Sequence, residues 1–416
     1  MTAVPRAPTF RRSLMQASIA LLGATALGIA ACGGGGGGSG DGTIGNERPL
    51  DVSQGPSDDG TANVLGAALN APWGLAFLPN GRMLVTEKGG TVALVDSAGA
   101  NVLARLSGPA GIDATGQGGL LDVALDPAFA STRWVFLTFS ESGAGGAGTA
   151  LARGTLNTSF NGWDQTPQVL WRQTPKVAAG PHYGSRIAFR SDATLYLTTG
   201  ERGVEGNFGS ARGDALGVQN AGNTIGKVVR LDRNGATAGG SPLGIWSTGH
   251  RNPQGAAVRP DTDELWITEH GPQAGDELNR VSAGANFGWP VRSYGCDYAA
   301  APGPSCLING GTHAPDFTEP KAIWTPATAP SGLIFYTGGA FPDWHGNLFA
   351  GALTGQTLWR IVIDGNGKAT SRQEIKAVKD LGVRIRDVRQ GPDGNIYLLT
   401  NGSGGNANKI VRLARP

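Results

Sequence analysis

Six times along the chain a short apolar run, a turn built from Pro, Asp, Asn or Gly, and a second apolar run recur. The clearest copies are Gly74-Leu-Ala-Phe-Leu-Pro-Asn-Gly-Arg-Met-Leu-Val-Thr86 and Val388-Arg-Gln-Gly-Pro-Asp-Gly-Asn-Ile-Tyr-Leu-Leu-Thr400. Between them lie Val123 to Phe139, Ile187 to Gly200, Ala257 to His270 and Leu333 to Leu353. Each copy predicts a β-hairpin, because short alternating or continuous apolar runs suit strands and the intervening Gly, Asn and Asp tolerate tight turns. Repetition at roughly 50 to 75 residues predicts an all-β, six-bladed β-propeller with four-stranded antiparallel blades. Such a ring gathers its irregular loops around one mouth of a central channel, so chemistry is expected there.

The repeats span nearly the whole chain, which makes it one large domain (61–416) rather than several. Gly is abundant, at 68 residues, and charged residues are only 16%, as many tight turns and short strands require. A net charge of +2 gives no reason to expect nucleic acid. The first residues are different in kind. Arg6, Arg11 and Arg12 precede an apolar stretch from Ala17 to Ala31 that ends Leu27-Gly-Ile-Ala-Ala-Cys32. A basic start, an apolar middle and small residues before a Cys describe a lipoprotein-type signal peptide (1–31), cut before Cys32. Arg11-Arg12 also weakly resembles a twin-arginine signal. A flexible Gly-rich tether (32–60) is expected to follow, with the mature protein lipid-anchored at Cys32 in the periplasm or cell envelope. In that oxidising compartment Cys296 and Cys306, close together in a Pro/Gly-rich loop, are expected to form a local disulfide.

Four loop segments carry His, Arg and carboxylates where a bare scaffold would carry Ser, Gly and Asn. They are Gly116-Gln-Gly-Gly-Leu-Leu-Asp122, Gly180-Pro-His182-Tyr-Gly-Ser-Arg186 with Thr199-Gly-Glu201-Arg202, Thr248-Gly-His250-Arg251-Asn252-Pro-Gln254 with Glu269-His270-Gly271-Pro272 and Gly275-Asp276-Glu277, and Val383-Arg384-Ile385-Arg386-Asp387. His182 suits a general base, since imidazole titrates near working pH and Glu201 could orient it. Arg384 and Arg386, one residue apart on a strand, point to one side of the sheet. They either grip a polycarboxylate or phosphate or pair with Asp387 and other carboxylates, and the residues alone leave both open. Gly271-Pro272 with Asp276 and Glu277 offers hard oxygen ligands at short spacing, which suit Ca²⁺ better than Zn²⁺. A three-histidine zinc site from His182, His250 and His270 is the other metal reading.

Together these motifs, with Pro72-Trp-Gly-Leu-Ala-Phe and Asn286-Phe-Gly-Trp-Pro, resemble the soluble quinoprotein glucose/sorbosone dehydrogenase family from about Ala71 to Leu413. The bacterial aldose sugar dehydrogenases that use pyrroloquinoline quinone (PQQ) are the most similar branch. The resemblance implies oxidation of aldose sugars at C1 to the lactone, by hydride transfer to the quinone. It implies His182 as the base, Glu201 where the family usually orients that base with Asp, and Gln117 near the substrate hydroxyl. Arg251, Asn252, Arg384 and Arg386 match residues that hold PQQ. The carbonyls of Gly271 and Pro272 match ligands of a catalytic Ca²⁺; Glu277, the carbonyl of Phe287, and Asp297 match those of a second, structural Ca²⁺. Thr354 stands where some relatives carry a PQQ-touching lysine, and Ala327 falls near a position where a hydroxyl is usual. Electrons are expected to pass to an acceptor in the envelope, since the chain has no C-x-x-C-H haem motif. A calcium-dependent lactonase and a non-catalytic glycan- or protein-binding propeller are the alternative readings of the same loops.

Overall fold

In the computed structural model the six hairpins become the first two strands of six four-stranded antiparallel sheets, arranged as a propeller. The described residues are 48–57, 59–178, 180–205, 209–211, 213–239, 241–301 and 306–415. The leader, Cys32 and the glycine-rich start of the tether lie outside them. The first-strand/second-strand pairs are Pro72–Phe77 with Met83–Glu87, Leu120–Leu125 with Trp134–Gly143, and Gly184–Phe189 with Leu195–Thr199. Pro253–Val258 with Leu265–Glu269, Pro330–Phe335 with Leu348–Ala352, and Arg384–Gln390 with Ile396–Asn401 complete the ring. First strands of adjacent blades contact one another all the way round, so they line the channel.

The apolar runs are continuous because each blade is buried on both faces. Among the described residues, each of the six blade junctions has its own hydrophobic cluster. Leu84, Leu94, Val123 and Leu137 join the first two blades. Phe136, Ile187 and Leu197 join the second to the third. Leu75, Val85, Tyr397 and Leu399 join the sixth back to the first. The ring is also closed by hydrogen bonds. Thr61–Val64, at the start of the domain, pairs antiparallel with Ile410–Ala414 at its end as the outer strand of the sixth blade.

The described part of the expected tether is not free chain. Gln54–Ser57 pairs in parallel with Ala369–Ile375 as a fifth strand on the fifth blade, and Leu50 bridges to Ala322. Arg372 donates to the Asp51 carbonyl at 2.8 Å and to Ser53 Oγ at 2.9 Å. An edge strand needs backbone groups more than apolar side chains, so the low apolar content there does not prevent pairing. Cys296 and Cys306 are disulfide-bonded, as the sequence leads one to expect.

Two features of the channel position the site. The register between first and second strand slips near the start of every first strand, for example between Pro72 and Leu75 and between Ile385 and Asp387. A bulge of this kind bends the strand and re-aims its side chains, here at the channel mouth. Below it, Arg186 lies 3.1 Å from Asp122 and 2.8 Å from Asp387, while Arg389 reaches the same two carboxylates at 2.8 and 3.1 Å. In this neutral tetrad Asp122, Arg186 and Asp387 are buried and Arg389 partly so, and the Arg186 guanidinium also lies 4.1 Å from the centre of the Trp73 ring.

Candidate active site

An antiparallel hairpin brings the start of its first strand beside the end of its second. Around the ring, these twelve strand ends meet at one mouth. The residues entering first strands include Trp73, Gln117, His182, Asn252, Ala329 and Arg384; those leaving second strands include Lys88, Glu201, His270, Leu353 and Asn401. Many of them line a cavity of about 360 Å³: Trp73, Lys88, Gln117, Gln254, His270, Arg384, Arg386 and Asn401 among others.

His182 Nδ1 is hydrogen-bonded to Glu201 Oε1, on the far side of the third blade's inner hairpin. The imidazole is held from the backbone too. His182 N donates to Gln117 Oε1 at 2.9 Å, and the His182 carbonyl accepts from Arg202 N at 3.3 Å. His182 sits at φ 56°, an uncommon region for a residue with a side chain. Its carbonyl packs so close to Gly200 that a Cβ there would come within 1.9 Å of the oxygen. Gly200 is therefore what allows the dyad to close. Burial lowers the His182 pKa below its ordinary value, and the neighbouring Arg251 and Arg202 charges add to this; the Glu201 hydrogen bond opposes it without prevailing. Burial alone would raise the Glu201 carboxyl, but the hydrogen bond from His182 and the charge of Arg251 hold it below the usual range. At neutral pH this is a neutral imidazole backed by a carboxylate, whose free Nε2 can take a proton.

The arginines do not pair with carboxylates. Asp387 is held by Arg186, Arg389 and the backbone N–H of Leu75, which leaves its neighbours without it. Arg386 donates to Gln254 Oε1 at 2.6 Å, and Arg384 to Asn401 Oδ1 at 3.3 Å. Burial and the like charges of Arg186 and Arg384 pull Arg386 down to about 9. Arg251 donates to the carbonyls of His270 and Gly271 at 3.2 and 2.7 Å and to the Tyr298 hydroxyl at 2.8 Å. Asn252 is buried; its Oδ1 accepts from Gly184 N at 3.2 Å, and its amide lies 3.4 Å from His270 Nδ1. His270 Nε2 meets the Pro330 carbonyl at 2.9 Å, and burial with the nearby Arg251 charge drives its pKa to about 3, so it stays neutral.

The expected metal ligands divide. Gly271 turns tightly, and Asp276 braces the turn by accepting from Gly271 N at 2.9 Å and from Thr328 N and Ala329 N at 2.7 and 2.6 Å. Asp276 is thereby spent on backbone. Glu277 and Phe287 line one small space together with Glu269, Arg251 and Arg292. Asn279 Nδ2 bonds both Glu269 and Glu277, at 2.8 and 3.1 Å, so two buried carboxyls stand close together. Burial and the Glu269 charge push Glu277 well above the usual range. Besides the two arginines lining this space, His313 stands by the carboxyls, its Nε2 3.5 Å from Glu277 Oε1. Asp297 does not join them: it is exposed in the disulfide loop, where its carboxylate accepts from Ala299 N at 2.9 Å in a local turn. His250 is likewise drawn elsewhere, bonded to Glu269 at 3.0 Å and Ser247 at 2.7 Å. Among the described residues no three His, Cys, Asp or Glu side chains cluster as metal ligands, and His182, His250 and His270 are each bonded to different partners: Glu201, Glu269 with Ser247, and the Pro330 carbonyl.

Residues 69–412 match the family model described as glucose/sorbosone dehydrogenase. The chain belongs to the glucose/sorbosone dehydrogenase family. It is 38% identical to aldose sugar dehydrogenase YliI of Escherichia coli over 83% of this chain and 91% of that protein. Quinoprotein glucose dehydrogenase B of Acinetobacter calcoaceticus is 25% identical over 87% and 89%. The fold superposes on the soluble aldose sugar dehydrogenase of E. coli in its apo form with a TM-score of 0.75, at 36% identity, covering 86% of this chain and 99% of that one. The PQQ-bound aldose sugar dehydrogenase of Streptomyces coelicolor gives a TM-score of 0.67 at 29% identity, with 86% and 99% covered. This protein is thus an enzyme of the sugar dehydrogenase family.

Sequence reasoning about this dehydrogenase missed Lys88 and Asn401 and gave Gln254, inside one of the four loop segments, no role; all three line the mouth. The signal for Lys88 and Asn401 is positional: each lies at or just past the end of a second strand, the place Glu201 and His270 occupy in their own blades. Thr354, one residue beyond Leu353 on the fifth blade, is exposed, whereas Leu353 lines the cavity.

Proposed function

We propose that this protein oxidises aldose sugars at C1 to the corresponding lactones, with PQQ and Ca²⁺ as cofactors. The observation that carries the reading is the His182–Glu201 dyad at the mouth of a cavity lined by Arg384 and Arg386 and by no Asp or Glu. PQQ is a planar tricarboxylate. The residues fit it, since Arg251, Arg384 and Arg386 have no carboxylate within ion-pair distance among the described residues, and the buried Nε atoms of Arg251 and Arg386 lack a partner. Asn252 and Gln254 would steady the same group. When bound, PQQ supplies an electrophilic carbonyl carbon that accepts hydride, and Ca²⁺ supplies Lewis-acid polarisation.

The chain's own residues do the rest. His182 Nε2 takes the proton from the C1 hydroxyl as the C–H bond breaks, and Glu201, at Nδ1, fixes the tautomer and stabilises the imidazolium that forms. Gln117 orients both partners: its Oε1 anchors the His182 backbone, and its amide nitrogen stands ready to meet a substrate oxygen. The carbonyls of Gly271 and Pro272 would face the catalytic Ca²⁺. They bring no negative charge, so the ion's charge would be met largely by the anionic cofactor. The relatives support the reading, one being a quinoprotein by name and another solved with PQQ bound. We further infer an envelope location, with a lipid anchor at Cys32 and an envelope electron acceptor. No helix among the described residues is long and apolar enough to cross a membrane.

The test is a titration of the purified protein with PQQ, with and without Ca²⁺, following dye reduction by a panel of aldoses. Saturable, calcium-dependent reduction is the expected result. A folded protein that binds no PQQ removes the reading.

A further inference from the structure

The mouth holds one more cation, from a different blade. Lys88 follows the second strand of the first blade and lines the same cavity as Arg384 and Arg386 of the sixth. Those two blades adjoin through the cluster of Leu75, Val85, Tyr397 and Leu399, so the three side chains flank one junction. Lys88 Nζ donates to the Gly116 carbonyl at 2.9 Å. Among the described residues none of the three has a carboxylate within ion-pair distance, and no Asp or Glu lines the cavity. Elsewhere in the channel, by contrast, Arg186 and Arg389 are neutralised by Asp122 and Asp387. Three like charges around about 360 Å³ repel one another unless an anion of matching valence enters.

We propose that Lys88 binds a carboxylate of the same polycarboxylate cofactor that Arg384 and Arg386 hold, gripping it across the junction of the first and sixth blades. The inference rests on the PQQ reading above and extends it to a residue outside the arginine motifs. Lysine is suited to this, as a compact charge on a flexible stem that can leave Gly116 and swing to a ligand oxygen. Its bond to Gly116 also sets it next to Gln117, so cofactor capture and the loop holding His182 meet at one side chain.

The experiment measures PQQ binding directly, by quenching of intrinsic tryptophan fluorescence, in wild type, Lys88→Gln and Lys88→Arg, with melting temperatures recorded alongside. Gln keeps a donor for the Gly116 carbonyl and removes only the charge. The expected result is a Kd for PQQ raised about tenfold or more by Lys88→Gln at low salt, a gap that narrows as salt is added, and recovery in Lys88→Arg, with little change in melting. A Lys88→Gln protein that binds PQQ as wild type does overturns the proposal, including the case where only the KM for sugar moves. The non-quinone benzene-1,2,4-tricarboxylate is titrated in parallel. If wild type binds no PQQ, the cofactor reading falls, and the tricarboxylate then decides for Lys88: weaker binding by Lys88→Gln sustains the anion grip, equal binding ends it.

Discussion

The Arg186 guanidinium donates to the backbone carbonyl of Arg386 at 2.9 Å, a contact that ties the third blade to the sixth across the channel. The same group donates to the Gln254 carbonyl at 2.7 Å, and Gln254 in turn accepts from the Arg386 side chain. One buried arginine thus sets the backbone of two mouth residues. It does so while neutralised by Asp122 and Asp387, so the floor of the site and the centre of the ring are one network.

Arg186→Met should therefore destabilise the fold by about 3 to 5 kcal/mol, because it strands two buried carboxylates with one arginine. Adding Asp387→Asn should restore part of the loss. Chemical denaturation measures both, and a single-variant loss under about 1 kcal/mol would show that the tetrad does not hold the ring.

His182→Ala should cut turnover by about a hundredfold to ten-thousandfold, the usual span for a positioned base. PQQ binding, read by fluorescence, should survive, since the cations remain. Near-normal kcat in this variant would take the base away from His182.

The pH profile follows from the depressed His182 pKa. Protonated imidazole cannot accept a proton, so kcat/KM should rise with pH through that pKa and be level by the ordinary histidine range. Glu201 raises the His182 pKa, so Glu201→Gln should move the inflection to lower pH while lowering the plateau. An inflection that moves to higher pH would contradict the dyad.

Arg386→Ala should weaken PQQ binding more than Arg384→Ala, each by roughly tenfold to a hundredfold. Arg386 is pre-set by Gln254 and by Arg186 at its carbonyl, whereas Arg384 rests on one longer bond to Asn401. Equal PQQ titrations for both variants and wild type would place neither in the site.

Calcium and PQQ should help each other bind. The Gly271 carbonyl accepts from Arg251, so an ion on that carbonyl competes with a guanidinium until an anion draws the arginine away. Calcium titrations by calorimetry should show tighter binding with PQQ present, and the reverse by the same factor. Independent affinities would mean that Gly271 is not a ligand.

The hairpins were legible because buried-both-sides strands leave an unbroken apolar signature, as Leu84 to Thr86 and Leu398 to Thr400 show. The dyad was legible as well, because His182 and Glu201 are ends of one hairpin and their closeness is a local matter. The family resemblance sets Asp297 beside Glu277 as a ligand, whereas the fold leaves it exposed in the disulfide loop. Its carboxylate accepts from Ala299 N in a local Asx turn, and it does not line the space that Glu277 shares with Glu269. Lys88 was passed over because an isolated lysine after a strand looks like any solvated one until the ring brings it opposite Arg384.

From its own order of residues the chain determines the blade hairpins, the family and the chemistry-bearing loops, since each depends on contacts within a few tens of residues. Which charges are spent and which stay free was decided only by closure of the ring. Arg186, Arg384, Arg386 and Arg389 are alike in the sequence, and Asp387 is the nearest carboxylate to three of them. The channel gives Asp387 to Arg186 and Arg389. That leaves the mouth arginines without a counter-ion, because a buried carboxylate goes to the cations that can reach it deepest from solvent, and the tertiary structure alone sets that depth.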